Sequence, residues 1–343
     1  MTASDSPVEP IENASIPDVA TDDSHGQPGH LVPASPVMGE REIDSTGVRI
    51  LPLGLDGAIF GWAAGAEDSV DVLDAFSEAG GTFISTSNHY AAGRSELMIG
   101  NWLRDQPDRD RFLIATKVGR HPDHPGLGAN SIKAAVEASL ERLATDRIDF
   151  LSFDGDHPET PAEESLAAAA ELVAEGKVRY LSAAGYSGTR LAEVHAIAEA
   201  EGYPMFRSVV AEYSLMERDV VEKDLLPVTV PRGISLFAKT PLASGYLSGQ
   251  FRTRDDLPSS PMFGQAMQYI GKRGNKVLDA LEAVAAEHEQ IPGRIALAWL
   301  LAKPGVIAAL VRAKSREQLA EHLGAVAIQL TRQQMAQLEK AAS

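Results

Sequence analysis

The sequence predicts a (β/α)8 barrel, and three observations carry that reading. From residue 46 onward, short apolar runs alternate with segments whose apolar residues recur at helical spacing. The apolar runs number eight in about 290 residues, the count of a closed barrel. No glycine-rich strand-to-helix turn of the dinucleotide fingerprint type occurs, which argues against an open doubly wound sheet.

Strands are predicted near 50–55, 81–85, 112–117, 149–153, 178–183, 207–212, 234–239 and 306–311. Runs such as "IDFLSF", "VRYLSAA", "RSVVAEY" and "ISLFAKT" are compact and apolar enough to be buried parallel strands. Between them "SIKAAVEASLERL", "PAEESLAAAAELVAEGK" and "GTRLAEVHAIAEAEG" read as amphipathic helices. Thr160-Pro161 opens the second of these with acids in its first turn, Gly176 closes it, and Gly202 closes the third. Catalytic groups of such a barrel belong at the C-terminal ends of its strands. Those ends are Asp56, Ser85, Lys117, Asp154, Ala184-Gly185, Glu212-Tyr213, Thr240 and Arg312.

Composition narrows the partners. A formal net charge of −17 repels a phosphate backbone and argues against nucleic acid. No apolar run approaches the roughly 18 residues of a membrane span. The absence of cysteine removes disulfides, thiolate metal sites and a cysteine nucleophile, and it fits the cytoplasm. Residues 1–45 carry nine acidic residues, one basic residue and six prolines without apolar periodicity. That segment is expected to be a disordered acidic tail with no secretory signal, leaving 46–343 as the barrel domain.

"LPLGL", "YAAGRSELMIGNWL", "FLIATKVG", "ELVAEGKVRYLSAAGYS", "TPLASGYLSG" and "IALAWLLAKPGV" follow one another in an order that resembles the aldo-keto reductase superfamily from about residue 46 to 340. The resemblance implies NADPH-dependent reduction of a small carbonyl substrate by an Asp, Tyr, Lys and His set. Hydride addition builds negative charge on oxygen, so a proton donor and cationic groups must face it. Tyr90 matches the proton-donating tyrosine and Lys117 the lysine that lowers its pKa. Ser85 stands where the family has a carboxylate and Asp154 where it has histidine, with His157 three residues beyond. Asp56 and Asp154 are therefore expected to supply the counter-charge of Lys117.

The implied NADP(H) site is also changed. Asp56 replaces a glycine, Ala184-Gly185 a Ser-Asn pair on the nicotinamide amide, and Val210 a glutamine. Tyr213 matches the ring that stacks on nicotinamide, and Thr240, Leu242 and Gly245 match the pyrophosphate loop. Arg312, with Lys314 close by, is expected to meet the adenosine 2′-phosphate. Gln318 and Glu321 match contacts to adenosine, and His322 replaces an asparagine.

Three functions follow from this pattern: a diverged NADP(H)-dependent oxidoreductase, a barrel enzyme using Asp154, Tyr90 and Lys117 for acid–base chemistry, or a non-catalytic binding protein. Other features have two readings. His121 and His124 read as a polar loop rather than a metal site, since further ligands are lacking. His89 lines the mouth or faces solvent, Trp62 meets substrate or packs, and 252–273 is a lid or a structural insertion.

Overall fold

A computed structural model describes residues 39–257 and 261–343. Eight parallel strands close into a barrel: β1 (Leu53–Asp56), β2 (Phe83–Ser85), β3 (Leu113–Val118), β4 (Ile148–Asp154), β5 (Val178–Ala184), β6 (Phe206–Glu212), β7 (Ser235–Lys239) and β8 (Val306–Val311). Each predicted strand lies within a few residues of its place. Neighbours in sequence are neighbours in space, and β8 returns to pair with β1 through Leu310↔Gly54 and Val311↔Leu55. The helices that concern the site are α1 (Ala66–Glu78), α2 (Arg94–Arg104), α3 (Ala129–Leu143), α4 (Ala162–Ala174), α5 (Gly188–Glu201), α6 (Leu226–Arg232), α7 (Lys272–Glu287), α8 (Pro292–Leu301) and α9 (Arg316–Leu323).

Two cores result from the two-residue period of the strands. The outward residues Ile84, Ile114, Leu151, Leu181, Val209, Leu236 and Ala309 belong to the large layer between barrel and helices. The inward residues Phe83, Leu113, Phe150, Val210, Phe237 and Leu310 form a second, separate cluster inside the barrel. Phe83 and Phe237 stack there at 4.3 Å, and Phe150 tilts against Phe83 at 5.7 Å. The barrel is thus filled, and the space for chemistry lies above these rings.

An antiparallel hairpin, Arg41–Glu42 against Arg49–Ile50, closes the opposite end. Ile43 and Ile50 are buried against the inner cluster. Arg41 donates to the carbonyls of Val306 and Leu301, both at 2.7 Å. The domain boundary expected at residue 45 therefore shifts: residues 41–45 are part of this plug, because Ile43 has an apolar site to enter. The rest of the expected tail, residues 1–38, lies outside the described residues.

The 252–273 region is short 3-10 turns at Arg254–Asp256 and Pro261–Tyr269 before α7 begins at Lys272. Gln265 accepts from the Ser244 hydroxyl at 3.1 Å, Ala266 is buried, and Tyr269 packs on Tyr246. This segment docks on the loop after β7. Among the described residues, no helix is long and apolar enough to cross a membrane.

Asp149 shows how tightly the lower barrel is tied. It is fully buried, faces outward next to Phe150, and accepts the Ile114 amide at 2.9 Å. Arg109, Arg179 and Arg147 converge on it at 3.2, 3.0 and 3.5 Å. Asp149→Ala is expected to destabilise the fold by about 3–5 kcal/mol, because it leaves partly buried cations and a buried amide without their acceptor. Urea unfolding measures this, and a loss below about 1 kcal/mol would mean the arginines simply re-solvate.

Candidate active site

The same alternation selects the residues of the mouth. Continuing each inward row by two residues leads from Phe83 to Ser85, from Leu113 through Ala115 to Lys117, and from Phe150 through Ser152 to Asp154. It leads likewise to Asp56, Ala184, Glu212, Lys239 and, beyond β8, Arg312. Register sets them side by side: Asp56 pairs with Ser85, Lys117 with Ser152, Asp154 with Ala184, and Glu212 with Lys239.

The loop that carries Tyr90 is pinned to β3 and β1. The Thr86 amide donates to Ala115 O at 2.7 Å and the Asn88 amide to Lys117 O at 3.1 Å. Ser95 Oγ donates to Gly57 O, so the Thr86 hydroxyl donates to Ser95 Oγ; both distances are 2.7 Å. Ala91, Ala92 and Gly93 are left-handed, with φ of 51°, 56° and 85°, and turn the chain from Tyr90 into α2. Two alanines in that region store strain of about 1–2 kcal/mol each. Glu96, fully buried in α2, holds the helix down by accepting from Thr116 at 2.5 Å and Arg142 at 2.8 Å.

Lys117 is buried, and its ammonium lies over the Tyr90 ring, 5.1 Å from the centroid. It donates to Ser85 Oγ at 3.1 Å and to the Thr86 carbonyl at 2.6 Å. The counter-charge expected from the two aspartates is absent from its contacts. Asp56 accepts Arg312 Nε at 2.9 Å, and Asp154 pairs with Arg120 Nε at 3.0 Å. Burial pulls the Lys117 pKa below its ordinary 10.5, while the more distant charges of Asp56 and Asp154 act against that. Nor is the Tyr90 phenol lowered as expected. Burial, then Asp56, pushes it well above 10.0 against the opposing charge of Arg312, so it stays protonated across the neutral range.

The remaining predicted residues separate into two groups. Tyr213 is fully buried, donates to Glu222 at 2.8 Å and packs edge-on against Trp299. It follows Glu212, so the strand's alternation turns it outward into the helix layer, where it meets no ligand at the mouth. The stacking role expected of it is therefore overturned. Arg312, expected to meet a 2′-phosphate, is paired through Nε with Asp56 across the β1–β8 seam at 2.9 Å. His322 holds the backbone of Arg312: its Nε2 donates to that carbonyl at 3.1 Å, and burial pushes its pKa down to about 4.

Lys314 and Glu321 are exposed at the surface around α9. Gln318 accepts the Lys314 amide at 3.0 Å, and Ser315 caps the helix. Thr240, Ala243, Ser244 and Gly245 all have positive φ and wind the half-buried loop after β7, with Leu242 at its centre. These form a second locus beside the mouth, distinct from the Tyr90–Lys117 centre.

Two mouth residues escaped the sequence reading: Arg120 and Lys239. Lys239 faces Glu212, which stood among the expected strand ends, at 3.6 Å. The signal for Lys239 was the alternation itself, Ser235-Phe237-Lys239. Arg120, in a two-residue strand (Arg120–His121) paired with His124–Pro125, carried no such signal. His121 and His124 stack within that hairpin at 6.3 Å. Among the described residues no group of three or more His, Cys, Asp or Glu is arranged to hold a metal ion. His89 is half-buried, 2.8 Å from Ser87 Oγ and 4.0 Å from Asp154, and burial lowers its pKa while Asp154 opposes the shift. His157 lies 3.4 Å from the Asp154 carbonyl. Trp62 is largely exposed.

The sequence model of the Aldo/keto reductase family matches residues 53–343, the whole barrel. The chain belongs to the aldo/keto reductase family. Aldo-keto reductase str7 of Strobilurus tenacellus is 31% identical over 306 residues, 88% of each chain. Norsolorinic acid reductase of Aspergillus flavus is 28% identical over 87% of this chain and 79% of its own. Aldo-keto reductase yakc [NADP(+)] of Schizosaccharomyces pombe is 29% identical over 76% and 78%.

Lys117 generates a stability prediction. Its folded pKa is depressed, so between that value and 10.5 the unfolded chain binds the extra proton and stability rises with pH. Below that window the full cost of the buried charge is present. Lys117→Met is therefore expected to be more stable than the parent at pH 7, by about 1–3 kcal/mol. The gap should narrow as pH approaches 10, as thermal unfolding at the two pH values will measure. A gap that widens with pH would contradict the depressed pKa.

Proposed function

We propose that this chain is an NADP(H)-dependent oxidoreductase acting on a small carbonyl or alcohol substrate, with Tyr90 as the proton donor and Lys117 as the charge that steadies the developing alkoxide. The observation that carries this reading is the Lys117 ammonium against the Tyr90 ring, buried at the strand ends and bonded to a hydroxyl and a carbonyl rather than a carboxylate. A carboxylate partner would neutralise that charge. Ser85 orients the ammonium and leaves its field directed at the reacting oxygen. The phenol, held protonated by burial, transfers its proton as the substrate oxygen gains negative charge.

Support for the cofactor is uneven. The left-handed turn from Thr240 to Gly245 and exposed Lys314, next to the capped start of α9, suit the phosphates of a dinucleotide. Gln318 and Glu321 stand at the same end. At the other end Ala184, Gly185 and Val210 offer no side-chain donor or acceptor, so an amide there has only backbone groups to meet. The bound cofactor would supply the hydride. The protein's own part is to orient the carbonyl, exclude water above the phenylalanine layer and deliver the proton from Tyr90.

A second reading rests on Asp154, whose carboxylate lies 4.0 Å from the His89 ring at the same mouth. This couple suits proton abstraction without a cofactor, in an elimination or isomerisation.

Fluorescence titration with NADPH and NADH separates the two readings. Saturable NADPH binding, weakened more than NADH binding by Lys314→Ala, is the expected result. Absence of binding at millimolar cofactor would remove the oxidoreductase reading. With a turned-over carbonyl, Tyr90→Phe should lower kcat by about 100-fold or more and leave KM nearly unchanged. Cofactor-free turnover abolished by Asp154→Asn would select the second reading.

A further inference from the structure

Arg120 is held by an ion pair with Asp154, and its Nη groups remain to be offered. Its Nε faces Asp154 at 3.0 Å, and its side chain is 54% exposed. The Nη2 end reaches over the backbone at the ends of β4 and β5. A Cβ placed on Gly155 would lie 3.4 Å from Nη2, and one on Gly185 would lie 3.6 Å away. Both glycines have positive φ, 98° and 71°, so the shelf beneath the guanidinium is bare backbone that L side chains would strain. The charge of Arg120 reaches both Tyr90 and His89.

The charge balance of the strand ends points the same way. Arg120 is set against Asp154, Arg312 against Asp56, and Lys239 against Glu212. Among the described residues, Lys117 has no carboxylate of its own. Four cations among the described residues thus face three carboxylates at the mouth of a chain whose net charge is −17. A local positive excess within an acidic protein focuses an anion onto the mouth.

From this we infer that the substrate carries a carboxylate beside or beyond its reacting carbonyl, and that Arg120 is the residue that recognises it. The inference rests on the reading of Tyr90 and Lys117 as the reacting centre and adds the substrate class. The ion pair with Asp154 anchors the guanidinium at the mouth, and the Nη fork is the part of it that matches a carboxylate. Arg120 positions the substrate; it takes no part in the proton transfer.

The test compares carbonyl compounds that differ in charge and little in size: 4-formylbenzoate with 4-formylbenzamide, and pyruvate with acetone. Calorimetry of the full chain, with and without NADP+, measures binding independently of turnover. At least one acid should bind about tenfold or more tightly than its neutral counterpart. Arg120→Ala should abolish that preference and leave the neutral compound unaffected, while Arg120→Lys should restore part of it. Circular dichroism melting establishes that the variants are folded. Equal binding of acid and neutral compound in both pairs, or a preference that survives in folded Arg120→Ala, would overturn the inference. If the acids bind through Arg120 but NADPH does not bind, the anion site stands and the oxidoreductase reading falls.

Discussion

The two-residue period of a β-strand is the constraint from which the rest of this molecule follows. Once eight parallel strands close, every second side chain must enter a space too narrow for water and too wide for small residues alone. Phe83, Phe150 and Phe237 fill it, and the hairpin carrying Ile43 and Ile50 seals its lower end. The next residues on the same rows then have no choice of direction. Ser85, Lys117 and Asp154 are delivered to the mouth because the phenylalanines below them are delivered to the interior.

That constraint also distributes charge. A lysine carried inward by alternation is buried whether or not a carboxylate accompanies it. Here the position that pairs with Asp56 across the β1–β2 ladder is Ser85, and Asp56 itself is taken by Arg312 from the adjoining strand β8. Asp154 is taken by Arg120. Among the described residues Lys117 therefore has a hydroxyl and a carbonyl rather than a carboxylate in contact, and two arginine–aspartate pairs stand around it. An ammonium in such surroundings costs stability and offers electrostatic work on a nearby oxyanion.

The fold was legible in the sequence because it rests on repetition. Eight apolar runs, helix signals between them and turn residues at their ends each point to the same architecture, and errors of a residue or two at a boundary do not alter it. The meeting of Tyr90 and Lys117 was legible as well, from the motifs that carry the one in the loop after β2 and the other at the end of β3. Tyr213 was misread because a residue one step past a strand end faces the opposite way from its neighbour, and Trp299 and Glu222 complete an enclosed place for it in the helix layer. The pairing of Arg312 was not legible because its partner is 256 positions away, and nothing local in "LVRAKS" reveals an aspartate across the seam.

The sequence by itself determined the periodicities, hence the barrel, the filled interior and which residue types stand at the strand ends. Tertiary structure alone decided who pairs with whom: Asp56 with Arg312, Asp154 with Arg120, Lys117 with a serine and a carbonyl. The physical reason is range. Alternation and capping act over a few residues and are written in the chain. Ion pairs across a closed barrel depend on registers and loop paths that bring distant segments within 3 Å, and no local pattern encodes that meeting.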